Sequence, residues 1–266
     1  YGAVGLAVLF FGKLIVSYRE EKGHAAVQKA LLNKSIKLCL WCCLLFIAIP
    51  FGIYFTAFLP LTTLPHNRYD VFGRFIAYQT HMYNYHSTLQ ATHPFESPWY
   101  QWPFDIRNVW YYGNYSADSE GHIRTISVLG NPLFFWACVP ATVYAFVRAV
   151  KRHSRTALIC VIGFLSAYLP WVLVPRCTFI YHYFTAVPFI LIAFLIAYRR
   201  LEETASLRRV VFTKGAVTLT VGRILLLACV LVHILMFIAF YPVLTGTLTT
   251  QNYANALEWL PSWFFI

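Results

Sequence analysis

IKLCLWCCLLFIAIPFGIYFTAFLP, residues 36–60, is the run that decides the fold. Lys37 is its only charge. A helix needs about 20 apolar residues to cross about 30 Å of hydrocarbon, so this run reads as a spanning helix. Comparable runs lie at 1–17, 131–150, 156–174, 178–198 and 222–244, with only a short turn around Pro175-Arg176 between the fourth and fifth of the six. The first starts at Tyr1, already inside apolar sequence, and reads as clipped, so the chain is expected to be a piece of something longer. Composition agrees. The chain is 59% hydrophobic and 12% charged with a mean hydropathy of +0.59, against roughly 25% charged residues in soluble domains. The expected fold class is all-α: a polytopic membrane protein of about six transmembrane helices.

Lys and Arg set the expected orientation, because short cytoplasmic loops are enriched in both. The 18–37, 148–155 and 199–223 connections, with Lys13, hold sixteen of the 21 Lys and Arg; Arg68, Arg74, Arg107, Arg124 and Arg176 lie on the other side. The basic connections are therefore expected in the cytoplasm, which accounts for the net charge of +11 without any nucleic-acid partner. Residues 1–60 then form two transmembrane helices with a cytoplasmic loop. Residues 61–130 form an extracytoplasmic loop, and 131–266 a C-terminal four-transmembrane region with an outer tail. The expected location is the cell membrane, multi-pass, with the C-terminus extracytoplasmic.

The outer loop has three parts. DVFGRFIAYQTHMYNYHSTLQ (70–90) lacks Pro and spaces Val71, Phe75, Met82 and Leu89 near a helical period, so it reads as an amphipathic helix lying on the membrane face. HPFESPWYQWPFDIRNVWYY (93–112) follows, with eight aromatic residues and three prolines in twenty, and then the polar tip GNYSADSEGH (113–122). Two readings of the aromatic segment compete. One is an interfacial belt of Trp and Tyr. The other is an irregular wall of a site, because backbone without regular structure at this depth is tolerated only where it is buried in protein or lines a cavity. Aromatic faces suit sugar rings, and Glu96, Gln101, Asp105 and Asn108 suit hydroxyls. Arg107 suits an anion or a carboxylate. Further along, LPWVLVPRCTFIYHYFTAVPF (169–189) places Arg176 and His182 at the outer end of two consecutive spans. Arg there is commonly a snorkelling anchor. With His182 beside it, the pair also suits the phosphate of a lipid.

HPFESPWYQWPFDIRNVWYY, the preceding YNYHSTLQAT (83–92) and the later YLPWVLVPRCTFIYHYF (168–184) together resemble the C-terminal half of the protein O-mannosyltransferases, over about residues 36–244. The resemblance implies a GT-C-type glycosyltransferase that uses polyprenyl- or dolichyl-phosphate mannose. It further implies inverting transfer of mannose to Ser or Thr hydroxyls of secreted or membrane proteins, outside the cytoplasm. The roughly 70-residue outer loop is too short for the β-trefoil insertion of eukaryotic members, so the bacterial branch is the better match. The family's catalytic acidic pair lies in a first outer loop with no counterpart here, and is expected in a missing N-terminal half. The catalytic base is therefore left unassigned, with Glu96 as the best local candidate. Arg176 and His182 are expected to bind the lipid phosphate. His93, Glu96, Trp99, Trp102, Asp105 and Arg107 are expected on the sugar or acceptor side. No metal or cofactor is implied, and a dimer is compatible. The alternatives are a GT-C transferase using a different lipid-linked sugar, or a non-catalytic carrier-lipid-binding membrane protein.

Other residues add little. Most of the seven cysteines sit in apolar runs, without metal-ligand spacing, and read as packed thiols. His81 and His86 are five apart, a poor match to a helical metal pair. The sequons at Asn114 and Asn33 fall on opposite sides of the membrane in this reading, which shows how little the pattern decides.

Overall fold

A computed structural model describes residues 2–63, 69–114, 121–215 and 217–266. Among these residues six helices are long and apolar enough to cross a membrane: Gly2–Glu20, Ala25–Leu61, Pro132–Lys151, Arg155–Leu173, Ile180–Glu202 and Val221–Thr245. Each coincides with an expected span. The chain folds as two compact units, one formed by residues 7–91 and the other by 1–6 with 92–266.

α1 (Gly2–Glu20), which belongs to the smaller unit from Ala7 on, is separated by only four residues from α2 (Ala25–Cys43). The basic 18–37 stretch is therefore mostly helix around a tight turn rather than the loop expected. Neither Gly nor Pro interrupts residues 25–48, and nothing else stops the helix. It runs on through a π-helical stretch, Leu44–Ala48, into α3 (Ile49–Thr56). From Leu38 to Phe55 this helical run is apolar all round, with Leu40 65% and Phe46 75% exposed. Hydrocarbon is the solvent that such a surface requires.

The helix expected over 70–90 forms, as α4 (Val71–Thr88). Asp70 caps it, its carboxylate accepting from the Gly73 amide at 2.7 Å. Phe75, on its apolar face, is buried among Phe51, Tyr54, Phe55 and Phe58, with ring centroids 5.2–5.8 Å away. Gln79 donates to the Tyr54 hydroxyl at 2.9 Å. The second half of α4 is exposed and carries His81, Tyr83, Tyr85 and His86.

The larger unit holds α5 (Pro132–Lys151), α6 (Arg155–Tyr168), α7 (Val187–Glu202) and α9 (Val221–Thr245); a short α8 (Ala205–Arg208) lies between the last two. Small residues let the first three approach closely. Ala145, Ala149, Ala157 and Ala193 are buried together, as expected where lipid supplies no hydrophobic drive and packing must hold helices together. Gly163 is the tightest point. A Cβ there would fall 2.1 Å from the Phe189 ring. Gly163→Val is therefore expected to destabilise the bundle by about 1–3 kcal/mol, read as earlier thermal unfolding in detergent. Unchanged unfolding would show that α6 and α7 do not meet there.

The aromatic segment and polar tip were expected to be irregular, within an all-α fold. In fact the second part of the loop is a hairpin. β1 (Val109–Asn114) pairs antiparallel with β2 (His122–Val128), with a bulge between Trp110 and Tyr112. β2 alternates inward Ile123, Thr125 and Ser127 with outward Arg124, the period-two pattern of a half-buried strand. Residues 115–120 of the tip lie outside the described residues. The tail is also built in. β5 (Thr249–Thr250) adds to β2, α10 (Gln251–Ala256) follows, and Trp263 and Phe265 are buried against Phe240 and Val243 of α9. Between α8 and α9 the basic 199–223 stretch forms a second hairpin, β3 (Val210–Lys214) with β4 (Val217–Thr220).

Candidate functional site

The aromatic segment starts with a turn that satisfies itself. The Glu96 carboxylate accepts from the His93 amide (3.3 Å), and the His93 ring accepts from the Phe95 amide (3.2 Å). Pro98 then opens a 3-10 turn, Trp99–Phe104, closed by Asp105 in the left-handed region at φ 53°. Asp and Asn are among the few non-glycine residues that tolerate that region.

This segment lies directly against the end of α6 and the turn that follows it. The Ser97 amide donates to the Thr178 carbonyl at 2.8 Å, and the Thr178 hydroxyl donates back to the Ser97 carbonyl at 2.9 Å. Tyr168, at the end of α6, donates its hydroxyl to the Trp99 carbonyl at 2.8 Å. The His93 ring meets Phe179 edge-on at 5.1 Å. The two polar clusters, about 80 residues apart in sequence, therefore share one end of the bundle.

His182 sits at the join, in a 3-10 turn, Ile180–Ala186. Its ring stacks near Trp102 (5.9 Å) and lies 4.1 Å from Trp171 and 4.5 Å from Tyr181 between centroids. Nδ1 is engaged by the Phe179 backbone at about 3 Å, which fixes the ring and leaves Nε2 as its other polar atom. Arg176 is half-buried and within electrostatic reach of both Tyr181 and His182. Its guanidinium has no ion-pair or hydrogen-bond partner among the described residues. A half-buried guanidinium of this kind is a ready anion receptor.

The expected sugar-side residues divide into two groups. His93 is exposed, and Glu96, Trp99 and Arg107 are partly exposed, all on the segment that abuts Thr178 and Phe179. Arg107 reaches back to the Glu96 carbonyl at 3.5 Å. Trp102 and Asp105, by contrast, have no exposed surface. In this structure both side chains are therefore packed behind the surface that the expectation had them line. Trp102 is the core plug beneath His182, with its indole N–H held by Ser97. Asn108, a candidate for hydroxyl binding, is likewise buried, and both ends of its amide are committed to the Phe264 backbone.

Asp105 is a structural hub. Its Oδ1 accepts from the Gly130 amide (3.2 Å), and its carbonyl accepts from the Trp263 indole (2.7 Å). Its Oδ2 has no partner among the described residues. Burial drives its pKa up to about 7, with the Gly130 N–H opposing. Ser262 adds a hydrogen bond to the Ile106 carbonyl, so the tail clamps the segment from behind. Sequence reasoning missed this clamp and the Trp171 wall of the histidine cage. The closely spaced Trp259 and Trp263 were the available signal.

A polytopic helical membrane protein, with an aromatic segment folded against a caged histidine and a turn that carries a half-buried arginine at one end of its bundle, is the class that fold and site define. Residues 71–263 match the family described as the C-terminal four TMM region of protein-O-mannosyltransferase, and the chain belongs to that family. It is 25% identical to the polyprenol-phosphate-mannose–protein mannosyltransferase of Mycobacterium tuberculosis, over 70% of this chain and 36% of that protein. It is also 25% identical to the enzyme of the same name from Mycolicibacterium smegmatis, over 81% of this chain and 45% of the other. The chain thus spans less than half the length of these relatives. The Saccharomyces cerevisiae protein O-mannosyltransferase Pmt1-Pmt2 complex bound to the sugar donor shares the fold, at a TM-score of 0.56 and 21% identity, covering 76% of this chain and 28% of that one.

Proposed function

We propose that this chain is the C-terminal part of an enzyme that transfers mannose from polyprenyl-phosphate mannose to Ser or Thr hydroxyls of proteins. Arg176 and His182 seat the lipid phosphate, and His93, Glu96, Trp99 and Arg107 border the sugar or acceptor beside it. Trp102 and Asp105 act from behind by holding that border in place. The observation that carries the reading is the packing of the 93–104 segment on Thr178 and Phe179, two and three residues from Arg176, an arginine without an ion-pair or hydrogen-bond partner among the described residues. Transfer leaves negative charge on the departing phosphate, and a preorganised guanidinium that meets it there lowers the barrier. The names of the mannosyltransferase relatives support the donor. No acidic residue here is assigned as the base, which is placed in the part of the enzyme outside this chain.

Sidedness belongs to the same proposal. Arg148, Lys151, Arg199 and Arg200 lie in the last turns of α5 and α7, at the opposite end of the bundle from the site. With that end in the cytoplasm, the site and the C-terminal tail face outward, in a cell membrane. Pairing with a second subunit is compatible, since the yeast neighbour is itself a complex.

A donor panel tests the function. The full-length enzyme in membranes is expected to label a Ser/Thr peptide from polyprenyl-phosphate mannose and not from the glucosyl analogue. Labelling from another sugar alone would select a different GT-C transferase, and binding of the carrier lipid with no transfer would leave a non-catalytic lipid-binding protein.

A further inference from the structure

At the far end of the larger unit lies a recess of about 470 Å³ that the proposed transfer does not use. Four arginines line it, brought from three places: Arg148 at the end of α5, Arg199 and Arg200 at the end of α7, and Arg208 in α8. The opposing charges are Glu202 and Glu203. Glu203 is already committed, in a 2.6 Å ion pair with Arg200. The lining therefore carries two positive charges more than negative ones.

Arginines in the last turn of a helix complement its C-terminal dipole, and that alone accounts for basic residues at the ends of α5 and α7. It does not account for their convergence on a cavity large enough for a ligand, in the usual range of small-molecule sites. Nor does it account for how they are used. Arg148 donates one N–H to the Tyr144 hydroxyl at 3.4 Å, while its Nε is buried with no partner among the described residues. The side chain of Arg199 makes no ion pair or hydrogen bond among them either. Two long helices also begin at this recess. Ser154 caps α6 and Thr220 caps α9, and both cap residues line it. Their first-turn amides add positive potential on the same side.

We infer that this recess binds a phosphomonoester group. Such a group carries a charge close to −2 near neutral pH and offers three acceptor oxygens, which matches the surplus charge and the unused guanidinium N–H donors. It can arrive on the headgroup of an anionic lipid or free in solution. Basic pockets between transmembrane helices at the cytoplasmic surface are suited to lipid headgroups. The site is separated from the Arg176 end by the length of α6, about 21 Å for its 14 residues, and it does not depend on the assignment of the transferase reaction.

The test places the intact protein in nanodiscs of phosphatidylcholine, with and without phosphatidic acid, and follows retained lipid by native mass spectrometry. Phosphatidic acid is expected to stay bound. Its affinity should fall about tenfold in Arg148→Gln/Arg199→Gln, since two charge-assisted contacts are lost, and should be unchanged in Arg124→Gln, at an exposed position of β2 away from both sites. Arg199→Gln alone, at an exposed position, gives a smaller loss in the same direction and serves if the double variant fails to fold. Inorganic phosphate that displaces the lipid identifies the soluble source, and retention of the lipid against it identifies the headgroup. Equal retention by the wild type and both variants, or no preference for phosphatidic acid over phosphatidylcholine, overturns the inference.

Discussion

Arg176→Ala in the full-length enzyme is expected to lower kcat/KM for mannose transfer by about a hundredfold or more, with insertion and folding intact. The magnitude follows from losing one preorganised donor at a developing anion, which typically costs two to three orders of magnitude. The specificity of the effect follows from the surroundings. Arg176 supports no other residue by ion pair or hydrogen bond among those described, so truncation removes a charge without breaking the bundle. The caged imidazole of His182 would remain in place on the Phe179 backbone. Arg176→Lys keeps the charge but loses the planar fork, and is expected to retain part of the rate. The decisive pattern is a fall in kcat at unchanged thermal unfolding. If Arg176→Ala turns over normally, the phosphate seat is elsewhere. If it unfolds the protein, Arg176 is a structural anchor.

The placement of these residues shows where sequence reading works in this chain. Spans are legible because hydrocarbon imposes a rule on every residue of a long run, so the apolar stretch around Phe46 and Ile53 could hardly be anything else. α4 was legible because the sequence spacing that puts Phe75 on its apolar face survives folding. Arg176 and His182 stand six residues apart across a turn between two spans, and that connectivity alone sets them at one end of the bundle. The rest depends on contacts between distant segments. Nothing local to Trp102 or Asp105 announces that Trp171 and Trp263 will cover them, and a Trp in a proline-rich loop looks the same whether it faces a ligand or plugs a core. Asn108 reads as a polar candidate until Phe264, 156 residues away, takes both ends of its amide. The β2 strand was hidden for a different reason. Its inward positions include Thr125 and Ser127, polar residues buried with hydrogen bonds to Tyr112 and Phe264, so the alternation is of burial more than of hydrophobicity.

Asp105→Asn is expected to stabilise the protein at mildly alkaline pH and to abolish most of the fall in stability that the wild type shows as pH rises. The wild-type carboxyl has an ordinary value of 3.8, and in the folded protein burial raises it to about 7. Below the lower value both folded and unfolded chains hold the proton, and the buried acid is neutral. Between the two values the unfolded chain releases the proton and the folded chain keeps it. The native state then binds more protons, and stability must fall as pH rises. Above about 7 the native carboxyl also ionises and the loss levels off, on the order of 4 kcal/mol for a separation of about three pH units. Among the described residues no cation stands beside the group to reverse this, and the Gly130 N–H is its one stabilising contact in the ionised form. Asparagine retains that contact through its own oxygen, tolerates the left-handed backbone at φ 53°, and cannot ionise. Its amide nitrogen replaces the oxygen that has no partner among the described residues. Unfolding followed by tryptophan fluorescence, with Trp102 and Trp263 both adjacent, should therefore show the two proteins converging in acid and diverging in base, with the variant the more stable. The clamp between the 99–104 turn and the tail is what this carboxyl holds, so the wild-type site should loosen over the same range in which its stability declines. A wild type that gains stability as pH rises through 7 would mean that Asp105 is ionised in the native state, paired with a group that this arrangement does not place beside it.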